Sequence, residues 1–179
     1  MFNQEKSMST HLMAVRANLH LKKGVTLPMV WDAIAAFTER FDILLQDGWV
    51  IPAFGEMPLA DPDDTIELRS EDGLMHMYLT CCASCGTDPD ELPSLCEALE
   101  ALVRGGGAIE IVDLEASPSN DDAISVRFVG ADETQRAKAR VDYGLGLAEE
   151  WLVGVIGPTD YQAVSARVHE LAAKRLVAL

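Results

Sequence analysis

Leu92-Pro93-Ser94-Leu95-Cys96-Glu97-Ala98-Leu99-Glu100-Ala101-Leu102 echoes a stretch sixty-five positions earlier, Leu27-Pro28-Met29-Val30-Trp31-Asp32-Ala33-Ile34-Ala35-Ala36-Phe37. Leu-Pro opens both, and Asp32 matches Glu97, Ala33 matches Ala98, Ile34 matches Leu99 and Ala36 matches Ala101. Each reads as a short amphipathic helix, and each lies between segments whose apolar residues alternate with period two. The pattern predicts two related β-α-β-β units, from about 11 to 70 and from about 75 to 129, followed by a C-terminal extension over 134–179. The expected fold class is α+β: a mostly antiparallel sheet with helices on one face, plus a C-terminal helix, in a single domain over residues 1–179.

Working outward, Met13, Val15, Ala17, Leu19 and Leu21 alternate with Ala14, Arg16, Asn18, His20 and Lys22, which predicts a half-buried strand with one polar face. Thr26 and Pro28 are suited to open a helix running to about Arg40, with Val30, Ile34 and Phe37 or Trp31 facing the core. Trp49-Val50-Ile51 reads as a short strand and Gly55 to Asp64 as a loop. Thr65 to Arg69 and Met75 to Cys81 flank Ser70-Glu71-Asp72-Gly73, an Asp-Gly hairpin signal. Met75, Met77, Leu79 and Cys81 share one face of the second strand, with His76, Tyr78 and Thr80 on the other.

The second helix is expected from about Leu92 to Arg104, stopped by Gly105-Gly106-Gly107, where a glycine can supply a left-handed cap. Ala108 to Glu115 and Ala123 to Val129 form a strand pair across the turn-rich Ser117 to Asp122. Residues 134–147 fit both periods. Gly144 and Gly146 tilt the reading toward a strand, with a helix following from about Ala148. After Gly157-Pro158, Thr159 or Asp160 can cap a final helix with Tyr161, Val164, Val168 and Leu171 on one face.

The net charge is −15, and its distribution is more informative than its size. Residues 1–55 are neutral, residues 56–133 carry nineteen acidic side chains against three basic ones, and residues 134–179 carry six basic against five acidic. The acidic groups come in bursts at predicted turns, at 56–64, 71–72, 88–91, 113–122 and 132–133. In an antiparallel sheet turns gather at the two ends, so several bursts can merge into one negative surface. Such a surface repels nucleic acid and anionic membrane and attracts cationic partners. The candidate partner-binding residues are Glu56, Asp61, Asp63, Asp64, Glu71, Asp72, Asp88, Asp90, Glu91, Asp113, Glu115, Asp121 and Asp122.

Cys81, Cys82, Cys85 and Cys96 are the four cysteines. Cys82-Ala83-Ser84-Cys85 has metal-ligand spacing, and with Cys96 it makes a candidate zinc set that Cys81 or His76 could complete. Against this, Cys81 and Cys82 are strand neighbours that point to opposite faces, and Cys81 and Cys96 fall on faces that read as core. Buried thiols of a reducing compartment are the plainer reading. His20 and His76 could meet across a sheet, although a pair of solvated strand histidines is the plainer account. No Gly-x-Ser-x-Gly elbow, P-loop or His-Glu-x-x-His occurs, and Asp61, Asp63 and Asp64 lack the spacing and glycine of an EF-hand. No catalytic residue stands out, and no cofactor other than zinc is suggested.

No run of eighteen apolar residues is present, and the first residues lack a secretory apolar stretch; Met8 could itself be the start. The expectation is a cytoplasmic chain. Three functions follow. The first is an inhibitor that offers clustered negative charge to a basic, nucleic-acid-binding protein or nucleoprotein, as a phage anti-CRISPR or anti-restriction protein or a nuclease immunity protein would. This nucleic-acid mimic would bind no nucleic acid or membrane directly. The second is a small enzyme or ligand-binding protein with a pocket between the two units. The third is a structural subunit or homodimeric scaffold, with or without Cys-ligated zinc.

Overall fold

The computed structural model describes residues 10–40, 55–56, 65–84, 91–115 and 124–177. Six antiparallel strands form one sheet. They are β1 (Thr10–His20), β2 (Gly55–Glu56), β3 (Thr65–Glu71), β4 (Leu74–Ser84), β5 (Gly107–Asp113) and β6 (Ile124–Val129), in the spatial order β2-β3-β4-β1-β5-β6. Helix α1 (Leu27–Arg40) follows β1 and α2 (Glu91–Glu100) follows β4. Strand, helix, strand, strand therefore occurs twice, in an α+β fold as the sequence predicts. The units differ in seating. In the first, the strand after the helix is the sheet edge; in the second, it lies beside the central β1.

Alternation decides which side chains meet. Val15 faces Leu79, Ala17 faces Met77 and Leu19 faces Met75 across β1 and β4, while Ile66 and Leu68 of β3 and Ile109 and Ile111 of β5 extend the same layer. All are buried. Leu27, Val30, Trp31, Ile34 and Phe37 of α1 and Leu95 and Leu99 of α2 close over them. Both Trp31 and Phe37 are in the core, so the apolar stripe of α1 is wider than a single i, i+4 row. This burial is the main source of stability, at about 2 kcal/mol for each large side chain enclosed.

Turn chemistry matches the residues. Asp72 and Gly73 both have positive φ (50° and 80°), as the two-residue β3–β4 hairpin requires. Gly105 and Gly106 take φ of 81° and 86° after α2. A side chain at Gly106 would strike the backbone oxygens of Val129 and Gln135, at 2.9 and 2.7 Å from its Cβ. Trp49-Val50-Ile51 and most of the expected 55–64 loop lie outside the described residues, although Gly55–Glu56 pairs with β3 as β2.

Residues 134–147 are helical, correcting the reading as a strand. They belong to α3 (Glu133–Ile156), which is followed by α4 (Pro158–Val177). The start is set by Asp132, whose carboxylate accepts from the Gln135 N–H at 2.8 Å, while the Gln135 side chain accepts from the Ala131 N–H at 3.2 Å. This resembles a capping box, with the return bond displaced to the N–H one residue before the cap. Gly144 and Gly146 are exposed mid-helix glycines, costing about 1 kcal/mol each relative to alanine. The cap and packing against α4 outweigh that cost. α3 ends at Gly157 (φ 82°), and Pro158 takes the first position of α4, where no N–H is needed.

Candidate functional site

Strand register divides the acidic bursts. Thr65 at the start of β3, Ser84 at the end of β4, Asp113 at the end of β5 and Ile124 at the start of β6 all lie at one end of the sheet. Segments 57–64, 85–90 and 114–123 adjoin those strand ends and contain Asp61, Asp63, Asp64, Asp88, Asp90, Glu115, Asp121 and Asp122. Of these, only Glu115 is within the described residues; its N–H donates to Asp113 Oδ1 at 2.9 Å. Glu56 pairs with Glu67 in the β2–β3 ladder, and Glu91 opens α2. Glu71 and Asp72 are at the other end of the sheet, in the β3–β4 turn, and do not join the same surface.

Several ion pairs form among the described residues. Arg16 pairs with Glu110 and Arg69 with Glu67. Arg136 lies 3.3 Å from Glu133 and 3.5 Å from Glu100, and Lys138 lies 2.5 Å from Asp142. Glu170 takes both Arg167 and Lys174, which together hold its carboxyl below the usual range. Glu133, in the last of the predicted bursts, is held in one of these pairs.

A second candidate lies on the face of the sheet turned away from α1 and α2. Side chains of β1 that alternate away from the core, Arg16, Asn18 and His20, form an open face with Glu67 and Arg69 of β3, His76 and Tyr78 of β4 and Glu110 of β5. One row across the strands reads Glu67, Tyr78, Arg16, Glu110; the next reads Arg69, His76, Asn18. α3 lies over the β5–β6 side of this face. Phe128 and Tyr143 stack edge to face at 5.9 Å, Arg140 sits 5.2 Å from the Phe128 ring, and the Tyr143 hydroxyl donates to Glu110 at 2.8 Å. The result is a groove of about 1390 Å³ between α3 and the sheet.

Burial, with Glu110 accepting the phenolic proton, pushes the Tyr143 pKa up to about 12. His76 Nδ1 lies 2.6 Å from Asn18 Oδ1, so its partner is the asparagine facing it across the strands, and His20 is one register step away beside Leu74. The sequence signal for this groove was the polar half of the β1 alternation. Its wall has no comparable signal, because residues 134–147 fit a strand as well as a helix.

The proposed thiolate set is not assembled among the described residues. Cys82 is opposite Leu12 in the β1–β4 ladder, and Cys85 lies outside the described residues. Cys96 on α2 packs against the core, and burial pushes its thiol up to about 11, which disfavours the thiolate that zinc would need. No group of three histidine, cysteine or carboxylate side chains able to hold a metal forms among the described residues. None of the helices among those residues is long and apolar enough to cross a membrane.

Compared with known proteins, the chain matches no family model, no curated protein and no solved structure.

Proposed function

We propose that the chain is a non-catalytic binding protein whose acidic end inhibits a basic, nucleic-acid-binding partner. The observation that carries this reading is the strand register, which tethers the 57–64, 85–90 and 114–123 segments to one end of a rigid sheet. Carboxylates presented from one end offer a basic groove the repeated negative charge that it otherwise meets in a phosphate backbone. Competition with nucleic acid then needs matched charge and no chemistry. Long-range attraction speeds association, and salt weakens it.

The test is capture by the immobilised chain from its native host at about 50 mM and about 500 mM salt, a range over which phosphate-like contacts weaken by orders of magnitude. The expected result is a nucleic-acid-binding complex that DNA or RNA displaces and that is lost at high salt. Replacing Asp61, Asp63, Asp64, Asp121 and Asp122 together with asparagine lowers capture at least about tenfold without changing the thermal melt. Capture that ignores both salt and those five substitutions sinks the proposal.

A second reading has its own observation. The groove is walled by strands of both units and mixes arginine, histidine, carboxylate and tyrosine side chains, as a ligand site does. Capture unaffected by the five asparagines but abolished by Arg16→Ala with Arg69→Ala moves the function there.

A further inference from the structure

Beyond Tyr143, α3 runs alongside α4, and this hairpin exposes more large apolar surface than any other described part. Trp151 is 79% exposed, Val155 83% and Leu147 60%, with Val164 and Leu171 of α4 also exposed. At about 100° per residue, Leu147, Trp151 and Val155 make one stripe, turned about 180° from Asp142 and Glu149. His169 of α4 lies 3.1 Å from Asp142, which marks that charged flank of the hairpin, and Glu149, Gln162 and Ser165 line a small cleft beside it. Val164 and Leu171 point away from His169 by the same periodicity. The five apolar side chains therefore share the opposite flank. The expected single stripe of Tyr161, Val164, Val168 and Leu171 is split: Tyr161 and Val168 turn toward α3, with the Tyr161 hydroxyl donating to the Leu145 carbonyl at 2.7 Å.

We propose that this flank binds the same flank of a second copy, forming a four-helix bundle about a twofold axis. Three observations select a second copy as the occupant. The first is spacing. When two α4 helices pack antiparallel about an axis between Arg167 and Val168, Val164 meets Leu171 of the other copy and Asp160 meets Arg175, each pair twice. That self-complementary order is what an isologous contact needs. Asp160 and Arg175 are exposed and form no ion pair within the chain among the described residues.

The second observation is charge. Residues 133–177 carry six basic and six acidic side chains, so this neutral arm is where two molecules of net charge −15 approach with least repulsion. The third is size. Two helices side by side present a flank about 30 Å long and about 20 Å wide. With its corrugation that approaches the ~800 Å² per partner typical of a specific interface. Gly144, two turns before Trp151 on the same flank, has open space where a Cβ would stand and can receive the other copy's indole.

The experiment is sedimentation velocity of the full chain from about 1 to about 100 μM, the range in which a standard-sized interface is populated. The expected species has twice the 19.5 kDa chain mass. Trp151→Glu, and separately Val155→Glu, give monomers with an unchanged far-UV spectrum, since both positions are solvent-facing in the protomer. Asp160→Arg weakens the dimer about tenfold, and Asp160→Arg with Arg175→Asp restores it. A wild-type monomer at about 100 μM overturns the proposal and leaves the flank to a different protein. A dimer that survives both glutamate substitutions, or a double swap no better than the single one, overturns it as well.

Discussion

The two faces of the sheet are built from the same strands and have opposite fates. Val15, Ala17 and Leu19 of β1 are closed in under α1 and α2, whereas Arg16, Asn18 and His20, interleaved with them, stay exposed. Cover makes the difference. Two amphipathic helices lie on the first face, and α3 covers only the β5–β6 side of the second. Stability therefore concentrates on one face, and the other is left for polar contacts that contribute little to folding.

The largest contrast is expected between two residues of β1. Leu19→Ala empties a fully buried site that packs on Met75 and on Gly107, where a Cβ would come within 2.2 Å of the Leu19 side chain. It should cost about 3 kcal/mol in urea unfolding, within the usual range for a buried leucine. Arg16→Ala, at an exposed ion pair with Glu110, should cost less than about 1 kcal/mol. Equal losses at the two positions would mean that the second face is also core, and the distinction would fail.

A smaller effect tests how the second face acquired its wall. Asp132→Ala removes the cap that starts α3 and should cost about 1 kcal/mol. The loss should appear first as faster amide exchange in residues 133–139, while β1 and α1 remain protected. Uniform exchange throughout the chain would mean that the α3 cap and the core unfold as one unit.

The same asymmetry explains what could be read from residues alone. The core face was legible because period-two and helical stripes coincide there with apolar chemistry, so Met13 to Leu21, α1 and the β3–β4 hairpin fall close to where their patterns put them. The groove was not legible, since it is made where a polar alternation meets a helix from a distant segment. In residues 134–147 Ala137, Val141 and Leu145 satisfy both periods, and two glycines weighed for strand. Asp132-Glu133-Thr134-Gln135 is the decisive signal, with its cap residue Asp132 just outside the ambiguous window. The acidic bursts were visible as composition. Their division between the two sheet ends depends on register, which no local pattern of Glu71 and Asp72 or of Asp113 and Glu115 reveals.

The smallest effect sharpens the contrast by pH. Tyr143 ties α3 to the open face through one hydrogen bond to Glu110, so Tyr143→Phe should cost about 0.5–1 kcal/mol near neutral pH. Its pKa in the folded chain is raised to about 12, above the ordinary tyrosine value near 10. The stabilising contribution is thus complete below about pH 10, where the phenol is protonated in folded and unfolded chains alike. It declines as pH rises toward 12, because the unfolded phenol ionises first. The stability difference between wild type and Tyr143→Phe should therefore be constant from pH 7 to 9 and shrink above about 10. A difference that grows with alkaline pH would mean that the phenolate, rather than the phenol, is the form held against the sheet.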